Sequence, residues 1–248
     1  MEIGLGIDSR FALSEDDQRA VAREAAALGY TSLWTPVGNT REPFDICATW
    51  TQSSGLPSGI AVAPISAWSL DDLASVSKET VEQCSGKFTL GVGVGRTSDA
   101  PIRVMRQTID ALRPRLLDVH IYLGALGPQM LRLAGQRYDG AALNWCTSEH
   151  VRWSRERVVA GAHAAGRDPS SIRLHEYVRV CIDEDELARI VPEELLRRVG
   201  YWGRPEDAGP AFLRLAEGLD IAVVRLVPAR ANDLAAARVA MRACSPMR

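Results

Sequence analysis

Two hydrophobic periods alternate along the chain. Short apolar runs recur, each followed by a longer segment whose apolar positions repeat every three to four residues. The runs Ile3–Asp8, Thr31–Trp34, Ile60–Pro64 and Phe88–Val94 predict four strands in the first half. Between them Ser14 caps a helix that has acids in its first turn and Gly29 just past its end. Further helices are predicted from about Pro43, over Asp71–Cys84 and over Pro101–Leu112. The second half repeats the rhythm with strands Val119–Leu123, Asp139–Trp145, Ile172–Ile182 and Ile221–Val227. Pro128 opens one helix at a favoured first position, and Thr147 caps another that ends at Gly166. Helical segments are then expected from about Asp185, from Pro205 with a break or restart at Pro210, and from about Asp233.

Eight strands alternating with helices at about 30 residues per unit fit an α/β fold of the (β/α)8 TIM-barrel kind. A doubly wound open sheet has the same alternation, because periodicity does not show closure. No linker, low-complexity block or charge run marks a domain boundary, so residues 1–248 read as a single domain. In both folds ligands bind at the carboxyl ends of the strands.

Composition narrows the partners. A net charge of −2, without a basic run, gives no reason to expect nucleic acid. No apolar stretch approaches the roughly 20 residues that span a bilayer, and the first residues lack the pattern of a secretory signal. Five scattered cysteines without a C-x-x-C pair point to buried or incidental thiols in a reducing cytoplasm.

Three strand ends carry candidate chemistry. Gly91-Val92-Gly93-Val94-Gly95-Arg96 lets a backbone or ligand approach closely, and equally suits a tight strand end packed on its neighbours. It fails as a dinucleotide fingerprint, since Arg96 replaces the third glycine. Leu123-Gly124-Ala125-Leu126-Gly127-Pro128-Gln129 runs a strand straight into a helix start, where unbonded N–H groups and the helix dipole favour an anion. Many plain turns look alike there. Asn144-Trp145-Cys146-Thr147 is a second such start, in which Thr147 caps the helix whatever else it does. Two adjacent units with anion-ready helix starts say more than either alone.

On the long strand, His175, Tyr177, Arg179 and Cys181 are expected to face the barrel interior, and Leu174, Val178, Val180 and Ile182 the helices. Arg179 then needs a structural partner or a ligand. Other chemistries are poorly served. Lys78 lies on a helix and Lys87 at a strand's entry end, which disfavours a Schiff base. His120, His150, His163 and His175 have no metal-ligand spacing, so no metal is expected, and no G-x-S-x-G elbow occurs. What remains is an enzyme whose reactive atoms belong to a bound cofactor. No catalytic acid or base can be assigned.

The run Ile121-Tyr122-Leu123-Gly124-Ala125-Leu126-Gly127-Pro128-Gln129-Met130-Leu131-Arg132-Leu133-Ala134-Gly135, continuing through Asp139-Gly140 to Asn144-Trp145, resembles the luciferase-like monooxygenase superfamily. It is most similar to the branch that uses coenzyme F420, an 8-hydroxy-5-deazaflavin. Weaker echoes are Ser32-Leu33-Trp34, Ile60 to Ile65, Leu90 to Gly95 and Tyr177 to Val180. The resemblance implies an oxidoreductase that uses F420 or FMN on a small molecule. It also implies that Ala125, Leu126 and Gly127 offer N–H groups to the cofactor phosphate, flanked by Asn144, Trp145, Cys146 and Thr147. Gly93 and Gly95 would lie beside the ring system, backed by a non-prolyl cis peptide at Ala61–Val62. The family's long insertions after the fourth and seventh strands are missing here. So is its acid–histidine pair after the second strand, where the chain reads Thr35-Pro36-Val37-Gly38-Asn39. These departures support an alternative: a catalytically idle relative that binds cofactor or a protein partner through the open barrel face. A homodimer is also implied, with Phe44, Ile46 and Trp50 as contact residues.

Overall fold

The computed structural model describes residues 1–7, 11–36, 38–95, 99–182, 193–226 and 234–247. The strands are β1 (Glu2–Gly6), β2 (Ser32–Thr35), β3 (Ser58–Pro64), β4 (Phe88–Gly93), β5 (His120–Gly124), β6 (Gly140–Leu143), β7 (Arg173–Cys181), β8 (Gly200–Trp202) and β9 (Ile221–Leu226). The helices are α1 (Glu15–Ala27), α2 (Glu42–Ser54), α3 (Leu70–Gln83), α4 (Pro101–Leu112), α5 (Pro128–Arg137), α6 (Ser148–Ala164), α7 (Glu193–Val199), α8 (Pro205–Leu215) and α9 (Leu234–Ala243).

All pairings are parallel. They run from β6 through β5, β4, β3, β2 and β1 to β9 and β7, and the β6–β7 pairing closes the ring. The closed barrel replaces the open-sheet alternative. The short strand β8, which the sequence pattern does not foresee, is a spur. It pairs with the end of β7 at Arg179–Cys181 on the side away from β9.

Local signals set the helix ends. The hydroxyls of Ser14, Ser69 and Thr147 accept from the N–H groups of Asp17, Asp72 and His150, each cap contributing about 1 kcal/mol. Pro210 does not interrupt α8, contrary to the sequence expectation. It sits on the exposed face while Ala208, Gly209, Ala211 and Phe212 bury the other, so its missing hydrogen bond falls where water reaches the helix. The helix expected from Asp185 begins outside the described residues.

Two apolar layers hold the fold. The outer one packs the strands against the helices, with Leu174, Val178 and Val180 of β7 in it. The inner one fills the barrel with Trp34, Tyr122, Tyr177, Ile221 and Val223. His175 lies among them, its ring centroid 4.2 Å from Trp34 and 5.0 Å from Tyr177. Bulky rings fit because glycines face them. A Cβ on Gly59 would stand 2.5 Å from the Trp34 ring, and one on Gly140 would stand 2.8 Å from the Tyr122 ring. Large and small side chains thus interdigitate in the lower barrel.

The α2 segment corrects one expectation. Phe44 and Trp50 are buried, and Trp50 Nε1 donates to Gln18 Oε1 at 2.7 Å. They pack in the core and offer no surface for a second copy; Ile46 alone of the three stays partly exposed.

Candidate functional site

Higher in the barrel the inward positions turn small: Ala61, Gly93, Gly124 and Ala142. With little side-chain volume there, a cleft of about 770 Å³ opens at the carboxyl ends of the strands. That size suits a cofactor-sized ligand. Ala61, Val62 and Leu143 give it apolar walls, and the first turn of α5 forms one rim. Its polar side chains are Gln129, Asn144, Tyr177 and Arg225.

The α5 rim presents unbonded backbone amides. Gly127 is the N-cap of α5 and Pro128 its first residue, and the first helical bond runs from Leu131 N to the Gly127 carbonyl at 3.0 Å. The N–H groups of Leu126, Gly127, Gln129 and Met130 therefore make no backbone hydrogen bond among the described residues. Gly127 has φ −90° and ψ 158°, which any residue adopts, yet a Cβ there would point into open space. The fold does not need a glycine at this position. The glycine leaves the backbone there open to close approach.

The expected donors change in two places. Ala125 lines the cleft, but its N–H is bonded to the Ala142 carbonyl at 3.1 Å. The Cys146 N–H is likewise taken, donating to Glu176 Oε1 at 2.7 Å. Both amides satisfy buried acceptors, so neither is left for a ligand.

The loop after β6 is held from both faces of β7. Strand β6 ends at Leu143, short of the predicted Trp145, because Trp145 adopts φ 59° in the left-handed region. Arg179, on the inward face, donates to Asn144 Oδ1 at 2.8 Å and stacks on the Trp145 ring. Glu176, on the outward face, accepts from Cys146 and leaves Oε2 buried without a partner among the described residues. Burial pushes the Glu176 carboxyl up to about 8, against the downward pull of the Cys146 hydrogen bond and the Arg179 charge. Burial also pushes the Cys146 thiol up to about 12, so it is no nucleophile at neutral pH. Thr147 serves as the α6 cap.

Of the residues singled out in the sequence, Ala61, Val62, Gly93, Ala125, Leu126, Gly127 and Asn144 line the cleft together. The Ala61–Val62 peptide is cis. Trp145, Cys146 and Thr147 shape the adjoining loop without lining the cleft. Gly95 stands apart from it at φ 80°, where a Cβ would fall 2.1 Å from Ser66 Oγ. Two polar cleft residues escaped the sequence reading. Arg225 carries its guanidinium 5.5 Å from the Tyr177 ring centroid; its signal is a lone charge in an apolar strand. Gln129 sits in the first turn of α5, inside the motif but without a role assigned to it. Tyr177 was placed inward correctly, and its hydroxyl donates to the Thr35 carbonyl across the barrel at 2.8 Å.

Among the described residues, no three His, Cys, Asp or Glu side chains stand together as metal ligands. None of the helices described is long and apolar enough to cross a membrane. All five cysteines are buried thiols.

A closed parallel barrel with an apolar cleft and a helix start bearing unbonded amides at its carboxyl end defines a (β/α)8 barrel with a cofactor-sized cleft. More particularly, residues 73–190 match the family model of the luciferase-like monooxygenases, and the chain is similar to that family there. It is 29% identical over 205 residues to a 5,10-methylenetetrahydromethanopterin reductase of Methanolobus tindarius, a match covering 66% of this chain and 61% of that one. A namesake from Archaeoglobus fulgidus is 24% identical over 139 residues, 43% of this chain and 42% of that one. The chain thus matches less than two thirds of the length of these relatives.

Solved structures share the fold over nearly the whole chain. The coenzyme F420 dependent tetrahydromethanopterin reductase of Methanopyrus kandleri superposes with a TM-score of 0.79 at 13% identity, covering 99% of this chain and 97% of that one. An F420-dependent secondary alcohol dehydrogenase, in complex with an F420-acetone adduct, gives 0.80 at 12% identity, covering 100% and 98%. An FMN complex of the 3,6-diketocamphane monooxygenase oxygenating constituent from Pseudomonas putida gives 0.70 at 14% identity, covering 100% and 97%.

Proposed function

We propose that the chain is an oxidoreductase that binds coenzyme F420, or alternatively FMN, in the barrel cleft and acts on a small molecule. One observation carries this reading: an apolar cleft of cofactor size ends on a helix start whose bare Gly127 leaves room for a phosphate. The relatives' names point the same way, since both F420-dependent proteins and an FMN complex share the fold.

In this reading the N–H groups of Leu126, Gly127, Gln129 and Met130 hold the phosphate, with the α5 dipole adding about 0.3–1 kcal/mol. Asn144, fixed by Arg179, flanks the same group, and Thr147 holds the start of the neighbouring helix α6 in place. Ala61, Val62 and Gly93 provide the surface against which the ring system lies, while Ala142 and Leu143 keep water from it. Gly95 supports the turn beyond β4. The bound coenzyme would supply hydride transfer, and the protein positions it and shields it. Arg225 and Tyr177 stand at the cleft wall and would border a substrate there.

The chain is further proposed to work in the cytoplasm, where its buried thiols stay reduced. A homodimer belongs to the same reading, with Ile46 as the α2 contact that remains to it.

A second reading has its own observation. Among the described residues, the cleft lining contains no carboxylate, histidine or lysine. A binding protein without catalysis needs none, so an idle relative that carries cofactor or meets a partner through the barrel face is the alternative. The absorption spectrum of protein purified from a deazaflavin-producing host separates the two. A deazaflavin or flavin spectrum with reductase turnover supports the enzyme, the same spectrum without turnover supports the carrier, and a colourless protein that binds neither coenzyme rejects both of these and favours the relative that meets a partner.

A further inference from the structure

Two arginines stand abreast inside the top of the barrel. Ile221, Val223 and Arg225 follow one another along the inward row of β9, in register with His175, Tyr177 and Arg179 of β7. Their guanidinium groups serve different neighbours. Arg179 turns to the loop after β6, where it bonds to Asn144 and stacks on Trp145. Arg225 lies toward the Tyr177 ring, is partly buried and lines the cleft. Its partner on the other flank is Gly6 of β1, which has no side chain to set beside it. A Cβ on Gly6 would meet Tyr177 and Val223 at 3.0 Å, so the packing below Arg225 keeps that position bare. Pro36, Ala61, Val62, Ala142 and Leu143 make most of the remaining cleft wall apolar.

We propose that Arg225 sets the substrate class: the molecule that enters the cleft has an apolar body and a carboxylate, and the carboxylate is seated on the Arg225 guanidinium. Calling that molecule a substrate rests on the function proposed above; its charge rests on the place of Arg225. Two cations at one level of the barrel make the potential of this wall positive, and each raises the cost of the other. A carboxylate arriving there offsets that cost, and the apolar lining strengthens the attraction by holding water back. A guanidinium presents several N–H donors in a planar fork, so Arg225 can keep a contact with the protein on one edge and receive a carboxylate on another. The fork matches both oxygens of a carboxylate at once, which a neutral amide or alcohol of the same shape does not offer.

Hexanoate, hexanamide and hexanol test the site, being alike in length and different in head group. At low salt the parent protein, bare and with coenzyme F420 present, should bind hexanoate at least about tenfold more tightly than either neutral probe in isothermal titration. Arg225→Gln should remove that preference and leave hexanol binding unchanged. Arg225→Lys keeps the charge without the fork and should retain a smaller preference. Gly127→Val, which closes the phosphate position, and Arg242→Gln, which removes a charge from α9, should both keep the full preference. Equal affinity of the parent for the three probes overturns the inference without recourse to any variant. So does a preference that survives Arg225→Gln, or one that is lost in Gly127→Val or Arg242→Gln. Coenzyme titration separates this outcome from the fate of the proposed function. A parent that binds F420 or FMN but treats the three probes alike keeps the function and loses the Arg225 site. A parent that binds neither coenzyme yet shows the Arg225-dependent preference does the reverse, and the carboxylate compound is then a ligand and not a substrate.

Discussion

The guanidinium carbon of Arg179 lies 3.4 Å from the centroid of the Trp145 ring, while Nη2 donates to Asn144 Oδ1 at 2.8 Å. One buried cation therefore fixes two consecutive residues of the loop after β6, one by its face and one by its edge. Arg179→Met should lower stability by about 1.5–3 kcal/mol, the range for a hydrogen bond to a charged group, and should weaken phosphate-ligand binding through Asn144. Arg179→Lys should not restore either property, since an ammonium cannot stack flat and bond sideways together. Urea unfolding and ligand titration of both variants check this; a Lys variant equal to the parent would sink it.

His175 and Glu176 are neighbours on β7 that face opposite sides of the barrel wall, and burial moves them in opposite directions. It pushes His175 from 6.5 down to about 3 and Glu176 from 4.5 up to about 8. The histidine's contribution is full above about 6.5 and is lost as pH falls toward 3. The glutamate's is full below about 4.5 and is lost as pH rises through about 8. From these two groups, stability should be highest between about pH 4.5 and 6.5 and should fall toward pH 8 by no more than about 1.4 kcal/mol per pH unit. Glu176→Gln should flatten the alkaline side, because an amide keeps an acceptor for the Cys146 N–H. Denaturation midpoints from pH 5 to 9 decide it, and an unchanged alkaline decline in the variant is the contrary result.

Gly127→Val tests the phosphate position directly. The backbone at φ −90° and ψ 158° suits a β-branched residue, and open space receives the side chain, so thermal stability should match the parent's. Coenzyme affinity should fall by at least about tenfold, as the methyl groups stand where the phosphate oxygens would. Undiminished binding of both F420 and FMN would place the phosphate elsewhere.

Most of the barrel was legible because its strands and caps are written locally. Ser14, Pro128 and Thr147 each mark a helix start within a residue of where it falls. The inward row of β7 followed from alternation alone. What escaped depends on contacts across the fold. The engagement of the Ala125 and Cys146 amides is decided by Ala142 and Glu176, partners 17 and 30 residues away. The burial of Phe44 and Trp50 is decided by how α2 packs, and an apolar face reads the same whether it meets a sheet or a second copy. The spur β8 is three residues long, below the length at which a period of two can be seen.

Gly161→Val probes the crossing of α5 and α6. A Cβ at Gly161 would lie 2.2 Å from the Arg132 carbonyl oxygen, and one at Gly135 would lie 2.1 Å from that of Val158. Backbone cannot step aside as a side chain can. The substitution should cost at least about 1–3 kcal/mol, read as a lowered urea midpoint, and a variant as stable as the parent would contradict the packing.

That crossing bears on how a ligand is received. With glycine against backbone on both sides, α5 and α6 are held as one unit, and the amides at the start of α5 and the Asn144–Thr147 turn keep a fixed spacing before any anion arrives. Little conformational entropy then remains to be lost on association, so affinity comes from preorganised donors and not from a loop that folds around its guest. An anion bound at the start of α5, as proposed, would find its donors already in place.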